Sequence, residues 1–207
     1  MSAKRTNWAG NVTFGAEGFH RPASVPEVQR LVAGSRRVRA LGTGHSFNRV
    51  ADTQGDLVSL EALPRVIEVD TADAAVMISA GLRYGELATA LSWAGRALHN
   101  LGSLPHISVA GACATATHGS GNANGNLATS VSGLELVTAD GDVVTVRRDG
   151  NAGRLSGTVV GLGALGIVTA LKTSRPASAG RPGRHAFRRG RTGRGSSPFP
   201  RPRRSRS

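Results

Sequence analysis

The sequence predicts an α+β domain, and two kinds of pattern lead to this prediction. Segments with helical periodicity occur between pairs of short β-rich segments, and the pairs are joined by polar turns. A helix is predicted over Val25 to about Ala33, one hairpin over residues 66–78 and another over residues 134–146. Because hairpins pair neighbouring strands in an antiparallel manner, the pattern does not indicate a sheet of repeated βαβ units.

The first helix has start and stop signals and leads to a candidate site. Ser24 precedes Glu27 by three residues, as in a capping box, and Gly34 is expected to end the helix. Residues 37–41 then alternate polar and apolar side chains, as a strand does, and run into a glycine-rich turn at residues 42–46. In α/β proteins ligands bind beyond the carboxyl ends of strands, so this turn is a candidate binding site.

A second helix is predicted over residues 84–94, after the first hairpin. Leu87, Leu91 and Ala94 fall on one of its faces at helical spacing. Trp93 is expected to pack in the core, and stacking of its ring on a ligand is the minor alternative.

The second hairpin carries the strongest turn signal in the chain. Asp140-Gly141 joins the β-rich segments 134–138 and 143–146, and glycine tolerates the positive φ that a tight turn requires. A glycine-rich turn then leads into a segment that is predicted to be a buried strand, and the two together span residues 162–171.

The formal charge of +13 is concentrated at one end of the chain. Residues 173–207 hold eleven arginines and no acidic residue, so residues 1–172 carry 15 basic and 13 acidic groups. The same terminal segment contains no Leu, Ile, Val or Met, so it cannot bury a core and is predicted to be disordered. Our preferred hypothesis is a reading-frame shift in a GC-rich gene. The alternative is a cationic tail that binds nucleic acid through its phosphates.

Residues 1–172 are sufficient for one domain core. Their composition argues against several classes of protein. No apolar segment approaches about 18 residues and no signal sequence precedes the domain, so a cytoplasmic protein is expected. Cys113 is the only cysteine, which excludes an intrachain disulfide and a cysteine-rich metal site. It is predicted to be a small buried residue. The histidines show no metal-ligand spacing.

The first chemical feature is the turn that contains Gly42, Gly44 and His45. Glycines allow backbone N–H groups to approach an anion closely, and a pyrophosphate fits such a nest. A pair of glycines after a strand is also a common plain turn. His45 adds to the signal, because a neutral imidazole is nucleophilic enough near pH 7 to form a carbon–nitrogen bond with an activated ligand.

The second chemical feature is the run of small residues over 103–121. A flat aromatic ligand and its phosphates could lie against such a backbone, with hydroxyl groups supplying hydrogen bonds. A helix that begins near Ser108 would contribute about 0.3–1 kcal/mol of favourable interaction with an anion. The alternative is a tightly packed helix without a ligand. For His106 and His118, a capping or core hydrogen bond is as probable as a chemical role.

These motifs together resemble the FAD-binding, PCMH-type half of the vanillyl-alcohol oxidase superfamily. The resemblance rests on residues 42–48, 103–111, 116–121 and 165–168, and it extends over residues 6–172. The opening segment 7–11 and the histidine turn are most similar to alditol (xylitol) oxidases, next to aldonolactone oxidases. The resemblance implies a domain of two α/β subdomains over 6–172, with the substrate (cap) domain missing.

The resemblance also implies the cofactor and its contacts. FAD would be bound covalently through its 8α-methyl group to His45, and residues 41–46 would surround the pyrophosphate. Ser103 would be the substrate-side, catalytic candidate. The implied cofactor-binding residues are Leu41, Gly42, Thr43, Gly44, His45, Ser46, Ser103, Ser108, Gly111, Ala112, Thr115, Gly119 and Ile167. Ala116 replaces a glycine that is common in this turn, and its methyl group is tolerated if φ is negative there.

The implied reaction is oxidation of a polyol CH–OH group by hydride transfer to the flavin, with O2 reduced to H2O2. Its partners would be a small polyol or sugar and oxygen, without a metal, a specific nucleic acid or a membrane. In the absence of a cap domain, turnover is expected to be weak or absent. An aldonolactone oxidase-type fragment and a non-catalytic protein with a nucleic-acid-binding basic tail are the alternatives.

Overall fold

A computed structural model describes residues 5–70, 74–148, 152–174 and 177–178. These residues form ten strands, four α-helices and one 3-10 helix, which confirms the predicted α+β class. In chain order the elements are β1 (Gly18–His20), α1 (Val25–Gly34), β2 (Val38–Ala40), β3 (Asp56–Val58), β4 (Ile67–Asp70), β5 (Ala75–Ser79), α2 (Tyr84–Trp93), β6 (Arg96–Ala97), α3 (Val109–Ala114), the 3-10 helix Leu127–Ser130, β7 (Val131–Val137), β8 (Val143–Arg147), α4 (Ala152–Val159), β9 (Ile167–Ser174) and β10 (Ala177–Ser178).

The first subdomain is built on a small parallel sheet with the strand order β1-β3-β2. Helix α1 makes the crossover between β1 and β2, and it begins as predicted, because the Glu27 N–H donates to Oγ of Ser24 at 3.4 Å. Parallel strands end at the same edge of a sheet. The turn after β2 and the segment after β3 therefore emerge side by side.

The second subdomain is built on an antiparallel sheet with the order β4-β5-β9-β7-β8. Both predicted hairpins are present, as β4–β5 and β7–β8, and Gly141 has φ +83° in the second turn. Strand β9 lies between the hairpins, and alternate residues along it are buried. The two sheets share one hydrophobic core, to which α1, α2 and α3 contribute apolar side chains.

Strand β9 continues through Ser174, two residues beyond the predicted domain limit. Thr173 is buried, and the Ser174 hydroxyl donates to the carbonyl oxygen of Ser130 at 3.2 Å. The short strand β10 pairs with β6. The remainder of 173–207 lies outside the described residues, so the disorder and the reading-frame shift stay predictions.

The prediction for Trp93 was wrong, because its side chain is 87% exposed. Helix α2 buries Tyr84, Leu87 and Leu91, which share one face at helical spacing. Trp93 follows Leu91 by two residues, or about 200° around the helix, and therefore faces away from the core. Ala94 is also exposed, because the helix ends at Trp93 and Ala94 is only its C-cap.

Cys113 is fully buried in α3, as predicted. Its sulfur lies 3.7 Å from the Tyr84 hydroxyl, and burial raises the pKa of the thiol to about 11. A thiol with such a pKa stays protonated at neutral pH, so Cys113 is a packing residue here. Across the described residues, no helix combines the length and apolarity needed to cross a bilayer.

Asp56 joins three elements of the first subdomain. One carboxylate oxygen lies 2.7 Å from Nε2 of His20 in β1, and the other accepts a hydrogen bond of 2.8 Å from the hydroxyl of Ser35, the C-cap of α1. The hydrogen bond with His20 is the main cause that lowers the pKa of Asp56, and the bond from Ser35 adds to it. The charged carboxylate is therefore the form that stabilises the fold.

We expect Asp56→Asn to reduce stability near pH 7 but not in strong acid. The folded-state pKa of Asp56 lies below its usual value of 3.8, so its stabilisation is present above that pH and is lost as pH falls through the folded-state pKa. Urea unfolding of wild type and variant at pH 7 and at about pH 2.5 measures this. Asp140→Asn, in the exposed turn after β7, is the matched control. If the free energies of unfolding of wild type and Asp56→Asn differed by the same amount at both pH values, the prediction would be contradicted.

Candidate functional site

A cleft opens where the parallel strands end, between the two sheets. One wall consists of residues 40–46, from the last residue of β2 through the turn after it, and residues 58–61, at the end of β3. The opposite wall consists of residues from α3 and of the glycine-rich segment 161–166 before β9. The cleft therefore lies where the sequence predicts a site, beyond the carboxyl ends of the parallel strands.

The structure brings most of the predicted cofactor-binding residues to this cleft. The predicted residues that line it are Leu41, Gly42, Thr43, Gly44, His45, Ser46, Ser108, Gly111, Ala112 and Thr115. Ser103, Gly119 and Ile167 are not part of this lining. Ser103 and Gly119 are exposed in loops, whereas Ile167 is buried in the core between the lining residues Gly166 and Val168.

The N-terminal segment fixes the position of the histidine turn. The Trp8 N–H donates to the carbonyl oxygen of Gly44 at 2.8 Å. The buried Asn7 amide donates to the carbonyl oxygen of Ser46 at 2.9 Å, and the Asn11 amide donates to that of Phe47 at 3.2 Å. These contacts explain why an Asn-Trp-Ala-Gly-Asn segment accompanies the turn: it holds the backbone on both sides of His45.

Three aromatic rings meet at His45. Trp8 stacks on the imidazole with the ring centroids 4.9 Å apart and an interplanar angle of 20°. Nε2 of His45 lies 2.8 Å from Nε2 of His106, and Nδ1 lies 3.1 Å from Oγ1 of Thr43. The ring of His45 thus has a polar neighbour at each nitrogen and an aromatic face against it.

Burial and the neighbouring His106 lower the pKa of His45, and a backbone hydrogen bond to Thr43 opposes this shift. Because the ordinary pKa of 6.5 already lies below neutral pH, the lowered pKa means that the imidazole is uncharged near pH 7. A neutral imidazole has a lone pair and can act as a nucleophile.

The wall formed by α3 packs tightly against the histidine turn. Helix α3 starts after Ser108, as predicted. A Cβ at Gly42 would lie 2.3 Å from Oγ of Ser108, and a Cβ at Gly111 would lie 2.6 Å from the same oxygen. Glycine at both positions therefore lets the two segments approach closely. The Ser108 N–H donates to Oγ1 of Thr43 at 3.2 Å and joins the two walls.

The lining of the cleft fits a flat, phosphate-bearing cofactor. Glycines and small side chains expose backbone along both walls, and Thr43, Ser46, Ser108 and Thr115 add hydroxyl groups. Gly44 has φ +69°, a conformation that aims successive backbone groups toward one concave side. The charged side chains in the described lining, apart from histidine, are Glu61 and Arg83. Across the described residues no cluster of three metal-ligating side chains is found.

Ala116 does not have the negative φ at which its methyl group was expected to be tolerated, because its φ is +51°. It follows the C-cap of α3, where the Thr117 N–H donates to the carbonyl oxygen of Ala112 and the Ala116 N–H donates to that of Cys113. This is a Schellman ending, which places the residue after the C-cap in the left-handed region. Glycine suits that position better than alanine does.

We expect Ala116→Gly to stabilise the domain by about 0.5–1 kcal/mol. Relief of the left-handed alanine gains about 1–2 kcal/mol, and the greater freedom of glycine in the unfolded chain offsets about 0.4–1 kcal/mol. Thermal and urea unfolding measure the difference. Ala90→Gly, within α2, is the matched control and should destabilise by about 1 kcal/mol. A loss of stability in Ala116→Gly as large as that in the control would contradict the backbone strain inferred at Ala116.

Several lining residues are absent from the sequence prediction. Residues 59–61 line the cleft because β3 is parallel to β2, and the β-rich run 56–58 was the available signal. Arg83 carried no local signal. The contact of Trp8 and His106 with His45 joins positions that are far apart in the chain, so no local pattern reveals it.

Two α/β layers that enclose a cleft lined by glycines define a domain that holds a flat cofactor against its backbone. Comparison with known families agrees: the chain belongs to the FAD binding domain family, PCMH type, which matches residues 16–147. The predicted family is therefore confirmed.

Individual relatives are oxidases of polyols and lactones by name. The chain is 50% identical to an alditol oxidase of Streptomyces sp. over 174 residues, which are 83% of this chain and 41% of that protein. It is 36% identical to a putative D-arabinono-1,4-lactone oxidase of Neurospora crassa over 166 residues, 78% of this chain and 30% of that protein. It is 34% identical to L-gulonolactone oxidase of Bos taurus over 169 residues, 80% and 38% of the two chains. The chain thus spans less than half the length of these relatives.

Proposed function

We propose that this chain is the FAD-binding domain of an alditol-oxidase-like flavoprotein and that His45 is the point of covalent attachment. The observation that carries the proposal is the placement of His45. It lies in a glycine-rich turn that lines the cleft, and its ring is held by Trp8, Thr43 and His106. A histidine held in this way is positioned to react with a ligand in the cleft.

Different segments of the cleft lining are assigned to the pyrophosphate and to the flavin of FAD. We assign the backbone of residues 41–46 to the pyrophosphate, since the glycines there leave the N–H groups accessible. We assign Ser108, Gly111, Ala112 and Thr115 to the flavin, because they line the cleft beside the histidine turn. Gly119 and Ile167 could contribute only through backbone or through a rearranged loop. FAD, when bound, supplies the hydride acceptor and returns its electrons to O2.

Substrate specificity rests on the similarity to alditol oxidase, which is higher than that to the two lactone oxidases described above. We propose a polyol as the substrate and Ser103 as the residue on the substrate side, in the exposed loop that leads to His106. Oxidation of an aldonolactone is the second candidate, supported by the similarity to the lactone oxidases. We further propose that the domain predicted over residues 6–172 extends to the end of β9 at Ser174 and that the substrate domain lies outside the similarity.

We expect this chain to bind FAD but to produce little or no peroxide from xylitol or sorbitol. The cleft supplies contacts for a cofactor, whereas the orientation of a polyol in relatives of twice the length would need residues beyond the matched region. Quenching of flavin fluorescence measures binding, and a peroxidase-coupled assay measures turnover. The His45→Ala chain is the control for peroxide. A chain that does not bind FAD would overturn the proposed function. Peroxide clearly above the control would show that turnover does not need residues beyond the matched region.

A further inference from the structure

His45 and His106 form a pair of imidazoles joined by a hydrogen bond between their Nε2 atoms. Their Nε2 atoms are 2.8 Å apart and the ring centroids are 4.7 Å apart, with an interplanar angle of 53°. At this distance one Nε2 carries the hydrogen and the other accepts it with its lone pair. When His45 carries the hydrogen on Nε2, its own lone pair is on Nδ1.

Backbone contacts hold His106 in place from both sides. The Tyr84 N–H donates to the carbonyl oxygen of Ile107 at 3.0 Å, and the Gly85 N–H donates to that of Pro105 at 2.7 Å. The start of α2 therefore fixes the loop that carries His106. Trp8 lies against His106 as well as His45, with ring centroids 6.1 Å apart. The backbone that carries His106 is therefore held beside His45.

Attachment of a histidine to carbon requires removal of an N–H proton. A neutral imidazole that forms a bond through one nitrogen becomes a cation unless its other nitrogen loses the proton. The neighbouring hydroxyl of Thr43 is a poor base. Imidazole is the side chain whose basicity suits proton transfer near neutral pH, and His106 presents one to Nε2 of His45.

We propose that His106 accepts the Nε2 proton of His45 while His45 becomes attached to FAD. This inference rests on the proposed function, in which His45 is the attachment point. The bond forms between Nδ1 of His45 and the carbon of the flavin 8α-methyl group. That carbon loses one proton and the flavin ring gains two electrons and two protons, one of them returned through His106. O2 then takes two electrons and two protons from the flavin and becomes H2O2.

The test compares FAD attachment in wild type, His106→Ala and His106→Gln. Each chain is purified without flavin and mixed with FAD in air, and three quantities are measured: noncovalent affinity, rate of covalent attachment and melting temperature. Gln preserves a polar side chain but cannot take up a proton at neutral pH. His99→Ala, an exposed loop histidine outside the cleft lining, is the matched control.

We expect covalent attachment to be slower by about 10²-fold in both His106 variants, which is the usual contribution of a proton-transfer group. Noncovalent FAD binding should stay within about threefold of wild type, a change of about 0.65 kcal/mol or less. Added imidazole should restore part of the rate in His106→Ala, because it can occupy the vacated space and accept the proton.

Two results would overturn this proposal alone: attachment at the wild-type rate in both variants, or restoration of the full rate by Gln without imidazole. A wild-type chain that binds FAD and never attaches it would overturn the assignment of His45, and the role of His106 with it. The wild-type reaction thus separates a failure of the proposed function from a failure of this inference.

Discussion

His45→Ala is expected to eliminate all FAD that remains on the chain after denaturation. In the proposed function His45 supplies the nucleophile in the cleft, and its ring is uncharged near neutral pH because burial and His106 lower its pKa. Alanine removes the imidazole that would form the bond. The purified wild-type chain should give a fluorescent flavin band on a denaturing gel, and the variant band should be dark.

The same variant should still bind FAD without a covalent bond. The glycine turn keeps its backbone, because the contacts from Asn7 and Trp8 go to carbonyl oxygens and not to the imidazole. Loss of the ring and its stacking on Trp8 should weaken binding only moderately. His99→Ala serves as the control and should give a wild-type band. A band of undiminished fluorescence in His45→Ala would show that another residue holds the flavin.

Gly166→Ala is expected to destabilise the domain by about 2–4 kcal/mol. Gly166 has φ +147°, which side chains with a Cβ rarely adopt, and a Cβ there would lie 2.3 Å from the carbonyl oxygen of Val137 in β7. Backbone in the middle of a sheet cannot move away as a flexible side chain could. The clash should separate the start of β9 from β7 and deform the adjacent wall of the cleft.

Gly157→Ala is the matched control for this prediction. Gly157 lies in α4, and a Cβ at that position meets no atom of the described residues within 4 Å. Alanine is a better helix former than glycine, so this variant should be stabilised by about 0.5–1 kcal/mol. Urea unfolding measures both variants against wild type. If Gly166→Ala were as stable as Gly157→Ala, the close approach of Gly166 to Val137 would be disproved.

Local patterns were sufficient to predict α1, β2, α2, the two hairpins and β9, but not β1, β3, β6, α4 or the 3-10 helix. Ser24 and Glu27 mark the start of α1, and the Asp140-Gly141 turn fixes the second hairpin, because capping and turn geometry depend on residues a few positions apart. The prediction for Trp93 was wrong because it relied on residue type and not on helical spacing. Its hydrophobicity suggested burial, but it lies about 200° around the helix from Leu91 and therefore faces away from the packed side.

The site was predicted in part for a related reason. Glycines in the turn and in α3 are visible in the sequence, and so is His45, which follows Gly44. The strain at Ala116 was not visible, since it arises from the Schellman ending of α3. Residues 59–61 reach the cleft only because β3 pairs in parallel with β2, and pairing between distant strands has no local signature.

By itself the sequence determined the class of fold, the family and the identity of the histidine in the binding turn. These properties depend on residue types and on spacings of a few positions, which are written directly in the chain. Only the tertiary structure decided that Trp8 and His106, 37 and 61 positions away from His45, enclose its ring. Such contacts follow from the packing of whole elements against one another, because that packing alone brings distant parts of the chain within hydrogen-bonding distance.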